Sequence, residues 1–274
     1  MLIIQPHYHA IARTTQDYER MAASGVVAVA EPAFWAGFDR MYPETFIDYF
    51  RQISEFEPTR AAQYGIRHYC WVAVNPKEAE NPELSRAVLE RMPEFFEKPT
   101  VLGVGETGLH KSTESECEIM QAQVELALRH NQLILIHTPH LEDKLRGTVR
   151  ILEILQGLPV NPDRVWIDHV EEHTIRQVKD AGYWIGFTLY PITKCSPKRA
   201  VDMLEKYGPE RTLVNSSADW GPSDPFTLQE CVFEFRRRGH SLQEAVEVFH
   251  NNPARFLGQN PKFEIKPVSV VETA

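Results

Sequence analysis

Residues 132–137 read Gln-Leu-Ile-Leu-Ile-His, an unbroken apolar run closed by a histidine. A short run that is apolar at odd and even positions alike fits a strand covered on both faces, as in a parallel sheet. It is flanked by Ser115–His130 and Leu141–Leu155, both with apolar residues at helical spacing. Working outward, the same unit recurs along the chain. The other apolar runs are Leu2–Pro6, Val26–Ala30, His68–Val74, Val101–Val104, Val165–Ile167, Trp184–Leu189 and Leu213–Val214. Between and after them, Thr15–Ser24, Pro43–Tyr64, Leu84–Glu97, Glu172–Ala181, Pro197–Tyr207 and Phe226–Arg238 read as helices, several stopped by a glycine. A ninth helix, Ser241–Phe249, and a turn at Pro253–Leu257 follow.

Eight alternations of strand and helix predict a parallel sheet, and eight is the number that closes a (β/α)8 TIM barrel. The expected domain is single, residues 1–258, with a polar surface tail over 259–274. An open doubly wound sheet normally carries a glycine-rich turn after its first strand. Here that strand runs instead into Pro6-His7-Tyr8-His9.

The 274 residues are 43% hydrophobic and 24% charged, which excludes a disordered or fibrous chain. A net charge of −9 argues against a protein held mainly by nucleic-acid phosphates or an anionic membrane. It leaves open an enzyme in which bound cations face an anionic substrate. The cysteines Cys70, Cys117, Cys195 and Cys231 are widely spaced, so free thiols and a cytoplasmic location are expected. No stretch approaches the roughly 18 apolar residues of a membrane helix.

Polar residues with metal-binding chemistry gather at the ends of the expected strands. Strand 1 runs into His7 and His9, two apart and so on one face, with Ile3 and Gln5 expected to share that face. Strand 4 ends in Glu106, strand 5 in His137, strand 6 in Asp168-His169, and strand 8 runs on to Asp219. Asp168 and His169 compete for one inward position. In a barrel this end carries the active site. Four histidines and two carboxylates suit zinc, manganese, iron or nickel, and six ligands suit two ions with one carboxylate bridging.

With these residues in place, the chain resembles the TatD-related branch of the amidohydrolase superfamily. The matching pieces are His7-x-His9, Gly105-Glu106-Thr107-Gly108-Leu109, Ile136-His137, His169, Asp219 and the closing Asn252–Gly258 segment. The resemblance implies that His7, His9 and Asp219 hold one divalent ion, that His137 and His169 hold a second, and that Glu106 bridges. Zinc is the first expectation, with Mn2+, Fe2+, Ni2+ or Mg2+ as alternatives. It further implies an activated water or hydroxide as nucleophile, with Asp219 catalytic. The chain departs from the usual pattern at Gln5, where many relatives have aspartate, at His110, and at Val170–His173.

The expected activity is hydrolysis of a phosphoester, nuclease-type included, on a small-molecule or nucleotide-type substrate. Cleavage of an amide, ester or lactone is the alternative, with decarboxylation or a non-catalytic metal-binding partner protein behind it. His110, Lys111 and His140 are further candidates for substrate contact. Lys194, Lys198 and Arg199 read as solvated charges at the start of a helix. The loop Glu31–Tyr42, with Phe34 and Trp35, is placed to cover the pocket. Oligomeric state stays open.

Overall fold

A computed structural model describes residues 1–139 and 143–270. Eight strands form one sheet in sequence order: β1 Ile3–Gln5, β2 Val26–Glu31, β3 Arg67–Val72, β4 Val101–Gly108, β5 Leu133–His137, β6 Val165–Asp168, β7 Trp184–Thr188 and β8 Thr212–Asn215. Every neighbouring pair is parallel. Beyond the strands proper, a parallel bridge between Tyr8 and Ala218 ties β1 to β8. Gln5 reinforces that closure: its Nε2 donates to Ser216 Oγ at 3.0 Å and its Oε1 accepts from the Ser216 N–H at 3.1 Å. The result is a single (β/α)8 barrel, as the alternation predicts.

Two apolar layers follow from strand alternation. Ile4, Ala28, Ala30, Tyr69, Trp71, Leu102, Leu133, Leu135, Trp166, Trp184 and Leu213 fill the barrel interior. Val29, Cys70, Val72, Ile134, Ile136, Ile167, Ile185 and Val214 face outward into the helices. Such two-sided burial is why the strands read as continuous apolar runs.

Several expectations are corrected. Ile3 packs in the outer layer and Ile4 lines the interior, so the face shared by His7 and His9 does not continue back through Ile3. The cause is Pro6, which has no N–H for a ladder; β1 ends before it and the chain bends. The helix expected over Pro43–Tyr64 is Pro43–Arg51 and Glu57–Ala62 joined by a π-turn at Gln52–Phe56, next to Pro58. The helix expected over Leu84–Glu97 divides at Pro93 into Pro82–Arg91 and Pro93–Phe96. The helix after β5 starts, within the described residues, at Lys144. Among the described residues of the expected surface tail, Phe263 is fully buried in the interior cluster with Phe256 and Leu257, 4.7 Å from the Tyr69 ring. It plugs the end of the barrel where the strands begin, leaving the opposite end for chemistry.

Candidate active site

The C-terminal strand ends bring His7, His9, Glu106, His137 and His169 together, all buried. Glu106 Oε1 is the hub. It lies 2.9 Å from His169 Nε2, 3.1 Å from His137 Nδ1 and 3.6 Å from His7 Nε2. His7 Nε2 faces His9 Nε2 at 3.0 Å, and His169 Nε2 faces His137 Nδ1 at 3.0 Å. Among the described residues, His7, Glu106 and His169 form a candidate metal-holding group whose ligand atoms all lie within 4.8 Å of one another.

The hydrogen bonds behind these rings assign their tautomers. Asp168 Oδ2 accepts from His7 Nδ1 at 2.7 Å, so His7 turns a bare Nε2 to the centre. The Thr188 hydroxyl donates to Asp168 Oδ1 at 3.2 Å; its oxygen then accepts from His169 Nδ1 at 2.7 Å, which bares His169 Nε2 as well. Asn215 Nδ2 donates to both Asp168 oxygens, at 2.9 and 3.2 Å. Asn75 Nδ2 donates to Glu106 Oε2 at 3.2 Å and leaves Oε1 for the centre. Gly186 makes room for this arrangement, because a Cβ there would fall on the Asp168 carboxylate.

The centre therefore opposes a carboxylate oxygen to two bare imidazole nitrogens. Three acceptors aimed at one point favour a positive charge between them. Protonated imidazole does not supply it at His9, His137 or His169. Burial holds all three well below the usual histidine range, with His7 adding to the effect at His9 and Lys194 at the other two. These imidazoles plus a carboxylate, with His7, His169 and Glu106 each oriented by a second hydrogen bond, make a donor set that fits a divalent cation.

Both residues that compete in the sequence face inward. Asp168 follows the β6 alternation after Trp166; His169 adopts φ of 60°, in the left-handed region, and turns back into the same space. Asp219 lines the same cavity but contacts other partners. Its Oδ1 accepts from the Tyr190 hydroxyl at 2.9 Å and from the Gly221 N–H at 2.7 Å, while Ser217 supplies the hydroxyl 3.3 Å from His7 Nε2.

The cavity above the centre measures about 140 Å³. Phe34 stacks on His9 with ring centroids 4.1 Å apart, and Trp35 and Trp220 close the wall, Trp220 being 55% exposed at the rim. Lys77 and Lys194 also line it. Lys194 thus leaves the solvated group of the sequence reading, whereas Arg199 stays outside, paired with Glu172 at 2.6 Å. The cavity lining does not include His110 or Lys111. Their backbone N–H groups donate to Glu116, and Lys111 Nζ turns to Glu80 at 3.5 Å. Burial lowers the His110 pKa to about 4. His140 lies outside the described residues.

Asp168, Thr188, Asn75, Lys77 and Tyr190 are the site residues that sequence reasoning did not assign. Asp168 carried a signal, its place beside His169; the others sit in loops or strand ends with no spacing to mark them.

A model of the TatD related DNase family matches residues 7–256. An uncharacterized metal-dependent hydrolase of Methanocaldococcus jannaschii is 27% identical over 254 residues, 93% of this chain and 99% of the relative. The crystal structure of a TatD-like protein from Archaeoglobus fulgidus superposes with a TM-score of 0.78 at 27% identity, covering 93% of this chain and 99% of that one. A phosphotriesterase homology protein from Escherichia coli shares the fold, with a TM-score of 0.70 at 16% identity over 93% of this chain and 98% of its own.

Proposed function

The chain belongs to the TatD-related family, a metal-dependent hydrolase on the amidohydrolase fold, and from that premise we propose that it cleaves a phosphoester bond in a small-molecule or nucleotide-type substrate at a centre of two divalent cations, zinc first. The observation that carries this reading is the convergence of Glu106 Oε1, His169 Nε2 and His7 Nε2, three acceptors within one metal-sized space. His7, His9 and Asp219 would hold one ion, His137 and His169 the other, with Glu106 shared. Divalent cations at such a site lower the pKa of water from about 15.7 toward 7 and so make hydroxide available at neutral pH.

The chain's own residues do the rest. Asp168 and Thr188 fix the tautomers of His7 and His169, and Asn75 aims Glu106. Asp219, anchored by Tyr190 and Gly221 at the cavity wall, takes the proton of the attacking water and returns it to the leaving oxygen. Phe34, Trp35 and Trp220 exclude bulk water and strengthen every charge interaction inside. The family model's description as a DNase supports chemistry at phosphorus.

The test is elemental analysis of protein purified without chelators, followed by turnover of bis(p-nitrophenyl) phosphate and of a γ-lactone. Two transition-metal ions per chain are expected, with phosphodiester cleavage that falls by about 100-fold or more in Asp219→Asn while most of the bound metal remains. Turnover of the lactone alone, or an unaltered rate in Asp219→Asn, would overturn the reading.

A further inference from the structure

We propose that Lys77 and Lys194 form a two-armed clamp for an anionic group of the substrate, a phosphate or a carboxylate, held in the cavity beside the metal centre. The proposal rests on the hydrolase reading of this site and adds to it the charge class of the substrate and the residues that select it.

The two lysines come from different loops, Lys77 after β3 and Lys194 after β7, and both line the same cavity. Each is half-buried, and each ammonium lies 4.6 Å from the centroid of an aromatic ring, Trp35 for Lys77 and Tyr190 for Lys194. A ring face attracts the cation but accepts little from its three N–H donors. Among the described residues neither ammonium has a carboxylate within 4.0 Å or an oxygen acceptor within hydrogen-bond distance. Other buried or half-buried lysines of this chain are satisfied: Lys144 donates to Pro139 O at 2.8 Å, and Lys179 to Tyr207 O at 2.7 Å.

Their backbones are held in place. Asn75 Oδ1 accepts from the Lys77 N–H at 3.2 Å, while its amide holds Glu106. The Lys194 carbonyl accepts from Arg199 at 2.8 Å, and Arg199 is itself pinned by Glu172. Burial is the largest influence on both ammonium groups and favours their neutral form; Glu106 and Asp219 act on both in the opposite sense, and Lys77 adds its repulsion at Lys194. Two half-desolvated cations that repel each other, in a chain of net charge −9, are costly unless an anion joins them. Cations bound at the metal centre would engage Glu106 and Asp219 and so take away counter-charge that acts on both lysines. A substrate oxyanion between the two arms satisfies both, with Trp35 and Trp220 as apolar walls for the group that carries it.

The experiment is calorimetric titration of the metal-loaded protein, and of protein stripped by chelator, with inorganic phosphate and separately with malonate. The variants are Lys77→Met, Lys194→Met, the double Met variant and the double Arg variant, with metal content and circular dichroism as controls. Binding to the wild type, at least tenfold weaker in the double Met variant and kept within threefold in the double Arg variant, is expected in both metal states. Phosphate alone binding would assign a phosphate-bearing substrate, and malonate alone a carboxylate-bearing one. Affinity within twofold of wild type in the double Met variant, or binding that appears only with metal and ignores both lysines, would overturn the clamp. The titration needs no turnover, so a protein that binds anions through the lysines but cleaves no ester would sink the hydrolysis reading and leave the clamp standing.

Discussion

Replacing Glu31 with glutamine should stabilise the protein increasingly as pH rises. Glu31 ends β2 with no solvent exposure; its Oε2 lies 2.7 Å from His68 Nε2 and its Oε1 accepts from the Ile11 N–H at 2.9 Å. Burial raises the Glu31 pKa from 4.5 to about 8 and lowers that of His68 from 6.5 to about 3. The pair therefore shares one proton between pH 3 and 8 in the folded protein, while the unfolded glutamate gives its proton up near 4.5. A raised carboxyl pKa contributes stability that is complete below the unfolded value and is lost as pH climbs through the folded one. At about 1.36 kcal/mol per pH unit, the span from 4.5 to about 8 amounts to about 5 kcal/mol. A glutamine amide donates to His68 Nε2 as the protonated acid does, and it does not titrate. Urea unfolding of wild type and Glu31→Gln at pH 6 and pH 9 isolates the effect, since other titrations cancel in the difference. The variant's stability relative to wild type should grow by about 3 kcal/mol between those two pH values, because the loss is complete near pH 8. A difference that changes by less than about 1 kcal/mol would show Glu31 ionised throughout and refute the reasoning.

Two further perturbations probe the centre and the plug. Asp168→Asn removes the charge and one of the two carboxylate oxygens that hold His7 and Thr188 in place, so zinc affinity, measured by competition with a chromogenic chelator, should fall about 10- to 100-fold with the fold intact. Phe263→Ala empties the closed end of the barrel beneath Tyr69 and Phe256; unfolding should cost about 3–5 kcal/mol less, with metal content unchanged because the cavity forms at the opposite end.

The barrel was legible because each parallel strand is covered on both faces and so prints a continuous apolar run. Leu133–Ile136 places alternate residues in the two apolar layers, and nothing local interrupts it. The residues proposed to hold metal stand out for a related reason: a histidine or glutamate closes such a run. What could not be read lies where side chains act at a distance. Thr188 ends an ordinary strand, and only the fold sets it beside His169, 19 residues earlier. Lys77 and Lys194 are separated by more than a hundred residues, and only the closure of the barrel makes them neighbours of one cavity. Phe263 sits in a polar, proline-containing stretch whose composition gives no sign that one ring is buried.

The failures of simple alternation also fall at the site. A regular strand sends only every second residue inward, so at one level of the barrel it offers either a histidine or the carboxylate behind it. This centre needs both from β6, and His169 supplies the second by leaving the β region at φ of 60°. The chain bends at Pro6 before His7, and the β4–β5 register shifts between Val104 and Thr107, around Glu106. Each interruption lies beside a residue of the candidate centre, and each spoils the periodicity on which the sequence reading depends. Places where local regularity is lost in an otherwise regular barrel are thus where its chemistry is assembled. By the same argument, a change that restored regularity, for example an alanine at Gly186 pressing on Asp168, should leave the eight strands standing while it dismantles the centre.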